Sequence, residues 1–77
     1  MSADTDALGT ALSNALASGD EAAVSAAYAD IGTDLAARDE VDGACFFWTQ
    51  ALVFALSAGD TGRESDLRDR LSRHGRV

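Results

Sequence analysis

The chain has 77 residues and no Pro, which leaves room for a single domain, residues 1–77, near the smallest size at which one core holds together without disulfides or metal. Its formal net charge is -7, and this negative field repels phosphate backbones, so nucleic acid is not an expected partner. The single cysteine, Cys45, excludes an internal disulfide, and no basic segment leads into an apolar one as in a secretory leader, so we expect a cytoplasmic protein.

Apolar residues recur at helical spacing along the whole chain, and no stretch alternates with the period of two that a half-buried strand requires. The dipeptide Gly-Asp, at 19–20 and again at 59–60, is typical of a helix that ends at a glycine with left-handed backbone and is followed by the cap of the next helix. A capping box from Thr61 to Glu64 predicts the start of the last helix. Short connections make successive helices antiparallel, so the sequence predicts an all-α fold of four antiparallel helices in two helical hairpins. The helices are expected at about 5–18, 20–37, 40–58 and 61–74.

The third predicted helix is the most apolar part of the chain, because it contains the only Trp and all three Phe. We expect Asp39 to cap its start and Gly59 to end it. Its apolar arc is wider than a surface helix needs, and Phe46 and Val53, seven residues apart, lie on its polar side. The uncharged run 43–58 is shorter than the roughly 20 residues that cross a bilayer, and acidic residues flank it, so no membrane partner is expected.

The periodicity divides the large apolar residues into two sets. Those that repeat along the inner face of each helix are the expected core: Leu12, Leu16, Tyr28, Ile31, Leu35, Trp48, Leu52 and Leu56. Two hairpins are fewer than the three or so units that a helical repeat needs to bury its own faces, so some apolar side chains should meet another molecule. The candidate partner-binding residues belong to the third and fourth helices: Phe46, Phe47, Val53, Phe54, Leu67 and Leu71.

An internal repeat supports the division into hairpins, because residues 11–20 recur as 51–60 with six of ten positions identical. Helix, Gly-Asp turn and helix in this order resemble a degenerate tetratricopeptide-type hairpin. Trp48 takes the place of the family's early aromatic, eleven residues before Gly59, and Tyr28 takes the place of its second-helix aromatic. The chain departs from the family in its spacing, 40 rather than 34 residues, and in lacking the closing Pro. The resemblance implies a protein-binding module rather than an enzyme.

Residues able to carry metal or catalytic chemistry are sparse. Cys45 and His74 belong to different predicted helices, with no second ligand at a metal-binding spacing near either. Acidic residues cluster at helix starts, where capping accounts for them, and no glycine-rich phosphate loop occurs. We therefore expect no catalytic residue, metal or cofactor, and a small module or accessory subunit that binds another protein through apolar helix faces. Two alternatives stay open: a helical homo-oligomer with a structural role, and a small-ligand binder or enzyme subunit with a pocket near Trp48 and Tyr28.

Overall fold

A computed structural model of the chain describes residues 3–76, with side-chain environments for 7–76. The helices are α1 (Ala3–Ser18), α2 (Glu21–Ala37), α3 (Val41–Ala58) and α4 (Thr61–Arg73). Each boundary lies within two residues of its predicted position, and α1 begins at Ala3 rather than at residue 5. The prediction of an all-α fold, with four antiparallel helices in two hairpins, is confirmed.

Each of the four helices is followed by a residue with left-handed backbone. Gly19, Gly59 and Gly75 have φ between 70 and 72°, which glycine adopts without steric cost, and the predicted left-handed turns at Gly19 and Gly59 are confirmed. The fourth such residue is Asp39, with φ of 62°. The prediction that Asp39 caps α3 is therefore wrong, because this residue closes the end of α2. The N-cap of α3 is Glu40, whose side chain makes no capping hydrogen bond.

Two aspartates cap the helices that follow the Gly-Asp turns. Asp20 Oδ1 accepts hydrogen bonds from two backbone N–H groups in the first turn of α2, at 3.0 and 3.3 Å. Asp60 Oδ1 accepts from the N–H of Arg63 at 3.1 Å. The predicted capping box is thus displaced by one residue, since Thr61 is the first residue of α4 and Asp60 is its cap. A carboxylate both accepts a charge-assisted hydrogen bond and complements the positive end of the helix dipole, which a threonine hydroxyl cannot do.

The most extensive helix contact joins α2 to α3, and small residues line it. Ser25 is fully buried there, and its Oγ donates a hydrogen bond of 2.6 Å to the carbonyl oxygen of Ala51. At Gly32 a Cβ atom would lie only 2.5 Å from Cδ1 of Trp48. The two helices are therefore too close at this level to admit any side chain larger than hydrogen, since helix separation follows the size of the residues at the contact.

The core consists of two clusters, and Trp48, 3% exposed, belongs to the larger one. The buried members of the larger cluster come from α3 and α4: Ala44, Cys45, Trp48, Ala51, Leu52, Ala55, Leu67 and Leu71. The smaller cluster joins α1 to α2: Ala15, Val24 and Ala27. Among the predicted core residues Trp48 and Leu52 are buried, whereas four are half-buried: Leu12, Tyr28, Ile31 and Leu35.

Two predicted core residues lie outside the core. Leu16 and Leu56 are 52% and 49% exposed, so their assignment as core residues is wrong. They follow Ala15 and Ala55, which are buried at equivalent positions of the internal repeat. Consecutive residues are about 100° apart around a helix, so the leucine that follows each buried alanine points away from the line of closest contact.

The four helices form a small bundle that is flattened into a layer. Extensive contacts join α1 to α2, α2 to α3 and α3 to α4, and the Cα atoms span 31 by 30 by 15 Å. A layer of this kind covers each helix only on the sides that meet its neighbours. The outer side of α3, the most apolar helix, is left in contact with solvent.

Candidate protein-binding surface

The solvent-facing side of α3 is an uncharged surface. We call it the α3 strip, and it is made of Phe46, Thr49, Gln50, Val53 and Ser57. Phe46 is 58% exposed and Val53 is 55% exposed, although both belong to the same helix as the buried Trp48. Their seven-residue separation places them about 10 Å apart along one line of the helix. The sequence predicts both on the polar side of α3, and both lie there, with exposed Leu56 at the border of the strip.

The electrostatics of this surface differ from those of the rest of the chain. No charged residue occurs in 43–58, although the whole protein carries a net charge of -7. The nearest carboxylate, Asp42 in the first turn of α3, accepts a hydrogen bond of 2.6 Å from Nη2 of Arg76, in the segment after α4. This hydrogen bond raises the pKa of the Arg76 guanidinium above its ordinary value. The ion pair offsets the charge of Asp42 at the N-terminal end of the α3 strip.

A shallow groove of about 400 Å³ runs beside Phe46. Its lining combines residues of α3 with the arginine that follows α4: Asp42, Cys45, Phe46, Thr49, Gln50 and Arg76. The Thr49 hydroxyl already donates to the carbonyl oxygen of Cys45 at 2.8 Å. Its walls are therefore mixed, with the ring of Phe46 and the thiol of Cys45 beside the polar side chains of Thr49 and Gln50 and the Asp42–Arg76 ion pair.

A continuous series of aromatic rings leads from the α3 strip towards α2. The rings of Phe46 and Phe47 meet edge to face at 5.3 Å between centroids, and Tyr28 of α2 lies 6.0 Å from Phe47 and 5.7 Å from Phe54. Phe47 and Phe54 are half-buried as a result. Because α4 has few apolar residues, the sequence predicts that Phe47 and Phe54 stay uncovered. Tyr28 of α2 covers them instead. Phe46 is the member of the series that remains mostly in solvent.

Two of the candidate partner-binding residues are in fact core residues. Leu67 and Leu71 are 1% and 2% exposed and pack against the larger cluster, so their assignment to a binding surface is wrong. They are the only large apolar residues of α4, and a helix with two such residues four apart buries both against its neighbour. The candidate surface is therefore formed by α3 alone, with Phe46 and Val53 as its exposed members.

Trp48 of α3 is enclosed by side chains of α2 and of the end of α4. The ring of His74, the C-cap of α4, stacks on the indole at 5.8 Å, and the Arg70 guanidinium lies 5.7 Å from it. Gly32 of α2 closes another side, and the indole Nε1–H has no hydrogen-bond partner. Neither Trp48 nor Tyr28 lines the groove beside Phe46 or the alanine-lined groove between α1 and α2.

The arginines of α4 are engaged in ion pairs with carboxylates three or four residues before them: Arg63 with Asp60, Arg68 with Glu64, Arg70 with Asp66 and Arg73 with Asp69. Exposed pairs of this kind stabilise a helix by only a few tenths of a kcal/mol each. They keep the outer face of α4 electrically balanced rather than strongly basic. Within residues 3–76, no group of three or more His, Cys, Asp or Glu side chains has the arrangement of a metal site.

Sequence reasoning missed two features of the surface. The ion pair between Asp42 and Arg76 joins residues 34 positions apart and has no local signal. The exposure of Leu56, like that of Leu16 at the equivalent position of the repeat, has no signal in the sequence either. Periodicity alone assigned both leucines to the inner face, since it does not give the width of the buried arc.

No protein-family model, curated protein or solved structure matches this chain, so the resemblance to tetratricopeptide hairpins stays a prediction. By its fold and its surface, the chain is an all-α protein with one layer of four helices and an exposed apolar strip. Of the helices in residues 3–76, α3 alone has the length and composition of a membrane span, a property that core helices of soluble proteins share.

Proposed function

We propose that this protein is a small non-catalytic interaction module, or accessory subunit, that binds another polypeptide chain through the α3 strip. The observation that carries the proposal is the exposure of Phe46 and Val53, each more than half accessible, on the most apolar helix of the chain. Single exposed apolar residues are common on protein surfaces and need no explanation. Here two of them share one line of a helix, and Phe46 also contacts the ring of Phe47, which makes a patch.

Burial of Phe46 against a partner would stabilise the complex. A phenylalanine side chain has roughly 200 Å² of surface, so covering its exposed part would contribute about 2–3 kcal/mol at about 25 cal/mol per Å². The ring is also held in place by its edge-to-face contact with Phe47. A pre-positioned aromatic side chain loses little conformational entropy on binding, and such residues are enriched among those that dominate binding energy.

The test is a pull-down from the native source with tagged wild-type protein and with Phe46→Asp as bait. The matched control is Leu16→Asp, which makes the same chemical change at another exposed apolar residue, on α1. We expect Phe46→Asp to capture at least tenfold less of a bound chain, and Leu16→Asp to capture as much as wild type, with all three proteins melting within a few degrees of one another. Equal capture by all three, or capture of nothing by any of them, would contradict the proposal.

A further inference from the structure

We infer that residues 74–76 form a strap that opens and closes over Trp48 and Cys45 while the four helices stay folded. The strap has the sequence His-Gly-Arg, and it follows α4 and turns back to the start of α3. Its opening and closing require no other chain on the α3 strip, so this conformational device goes beyond the proposed function.

The strap lies over two side chains of α3 that are almost fully buried. The ring of His74 stacks on the indole of Trp48. Arg76 forms one wall of the groove that Cys45 also lines. The pKa of the Arg76 guanidinium is raised chiefly by its hydrogen bond to Asp42 and next by Cys45, which places the guanidinium near the thiol. A core aromatic ring and the cysteine therefore depend on the strap for part of their cover.

The strap lacks the packing that holds the helices in place. All three of its residues are exposed, and none of them has an apolar side chain. Its backbone hydrogen bonds are local, from the N–H groups of Gly75 and Arg76 to the carbonyl oxygens of Ser72 and Leu71, at 3.0 and 2.9 Å. Segments with exposed backbone bonds and few buried apolar contacts open at a much lower free energy than the core beside them. The strap should therefore open far more often than the helices unfold.

Two side-chain contacts join the strap to α3. One is the stacking of His74 on Trp48, with ring centroids 5.8 Å apart. The other is the ion pair of Arg76 with Asp42, which we call the catch, and its two side chains are 42% and 94% exposed. An ion pair this accessible to solvent is weak and is screened by salt. The catch can thus be released by ionic strength or by one substitution.

Opening of the strap changes what the protein presents to solvent. Trp48 and Cys45 are three residues apart and therefore neighbours on one face of α3. A closed strap shields both, whereas an open strap uncovers an aromatic ring beside the only thiol of the chain. The groove of about 400 Å³ then gives a small thiol reagent a path to Cys45. The strap therefore controls the reactivity of Cys45 and makes it depend on salt.

The rate at which iodoacetamide alkylates Cys45 in the folded protein measures this opening, because the chain has no other cysteine. Asp42→Asn and Arg76→Glu break the catch from opposite sides. We expect both variants to react at least about threefold faster than wild type, and to melt within a few degrees of it. Arg73→Glu is the matched control. It makes the same charge reversal at an exposed arginine whose partner, Asp69, is on α4 itself, so its rate should equal that of wild type.

The two variants separate opening from a direct effect of charge on the thiol. Iodoacetamide alkylates the thiolate, which a nearby cation favours and a nearby carboxylate disfavours. With a strap that never opens, Asp42→Asn would react faster than wild type and Arg76→Glu would react more slowly. With a strap that opens, both react faster, because each variant has lost the catch.

Salt provides a second test of the catch. Raising NaCl from about 20 mM to about 500 mM screens the attraction between Arg76 and Asp42 in wild type, and it screens the repulsion between two carboxylates in Arg76→Glu. The alkylation rate should therefore rise with salt in wild type and fall with salt in Arg76→Glu. A change of the same sign in both proteins would show that salt acts on the reagent or on the whole domain, and would overturn the inference.

Faster alkylation of both catch variants, without a change in the control, would support the strap, and any other pattern of rates would overturn it. Acceleration in proportion to a lowered melting temperature counts against it too, because the reagent would then reach Cys45 only through unfolding of the whole domain. Since Phe46 is unchanged in all these proteins, failure of the strap leaves the proposed function to its own test.

Discussion

Replacing Gly32 with alanine tests the central packing of the molecule, because two effects of opposite sign compete there. In a helix interior, alanine is more favourable than glycine by about 1 kcal/mol. At Gly32, however, the added Cβ would lie 2.5 Å from Cδ1 and 2.7 Å from Nε1 of Trp48, and 3.0 Å from the carbonyl oxygen of Ala44. Carbon atoms in contact normally lie about 3.5–4.0 Å apart, so the indole or the backbone of α3 must move by about 1 Å.

The steric cost of the added methyl group should exceed the gain in helix propensity. Overpacking a core typically costs about 1–3 kcal/mol, and the neighbours here are a rigid ring and a backbone carbonyl, which places Gly32→Ala in the upper half of that range. After the gain in helix propensity, we expect a net destabilisation of about 1–2 kcal/mol. For a domain of this size, that lowers the melting temperature by roughly 5–15 °C.

The assay is thermal unfolding followed by circular dichroism, with Gly9→Ala as the matched control. Gly9 is in the interior of α1, and a Cβ atom added there would meet no neighbouring group within 4 Å, so the same substitution should stabilise the protein by up to about 1 kcal/mol. Adding Trp48→Phe to Gly32→Ala should recover part of the loss, because the smaller ring has room to move away from the added methyl group. If Gly32→Ala melts at or above the wild-type temperature, as Gly9→Ala is expected to, the close approach of α2 to Trp48 is wrong.

Three further predictions concern the core and the turns. Trp48→Ala should cost about 3–5 kcal/mol, a large part of the roughly 4–11 kcal/mol that stabilises a chain of this length, and a melt within a few degrees of wild type would contradict its place in the core. Asp39→Gly should raise the free energy of unfolding by up to about 1 kcal/mol in urea titrations, because it relieves a φ of 62° in a non-glycine residue; a lower value would show that the carboxylate has a stabilising role. Ser25→Ala should cost about 0.5–1.5 kcal/mol by removing the hydrogen bond to Ala51, and no change in the urea midpoint would refute that contribution.

The helices and their turns could be predicted from sequence because local residues determine them. Glycine occupies three of the four left-handed positions, and aspartate caps follow two of those glycines. The displaced caps show where this reasoning fails. At Asp39 the chain uses an aspartate in the conformation that glycine adopts elsewhere, so an aspartate that was expected to start one helix ends the previous one.

The candidate site was harder to predict, because it depends on distances between helices. Phe46 and Val53 could be placed on the outer side of α3 from periodicity alone. Leu56 could not, because whether a residue about 90° from the centre of the contact is buried depends on how closely the neighbouring helix approaches. The covering of Phe47 by Tyr28 depends on the same packing, which brings together residues 19 positions apart.

The two roles of α3 can be separated by mutation, because they occupy opposite sides of one helix. Trp48 and Phe46 are two positions apart, which turns their side chains about 160° away from each other. The first is 3% exposed and packs against α2 and the end of α4, whereas the second is 58% exposed and contacts the ring of Phe47. Substitutions on the inner side should therefore change the free energy of unfolding, and substitutions on the α3 strip should change association with little effect on folding. The inner side is lined by alanines because close packing requires small residues there, and this leaves the larger side chains of α3 to extend beyond the layer, where another chain can cover them.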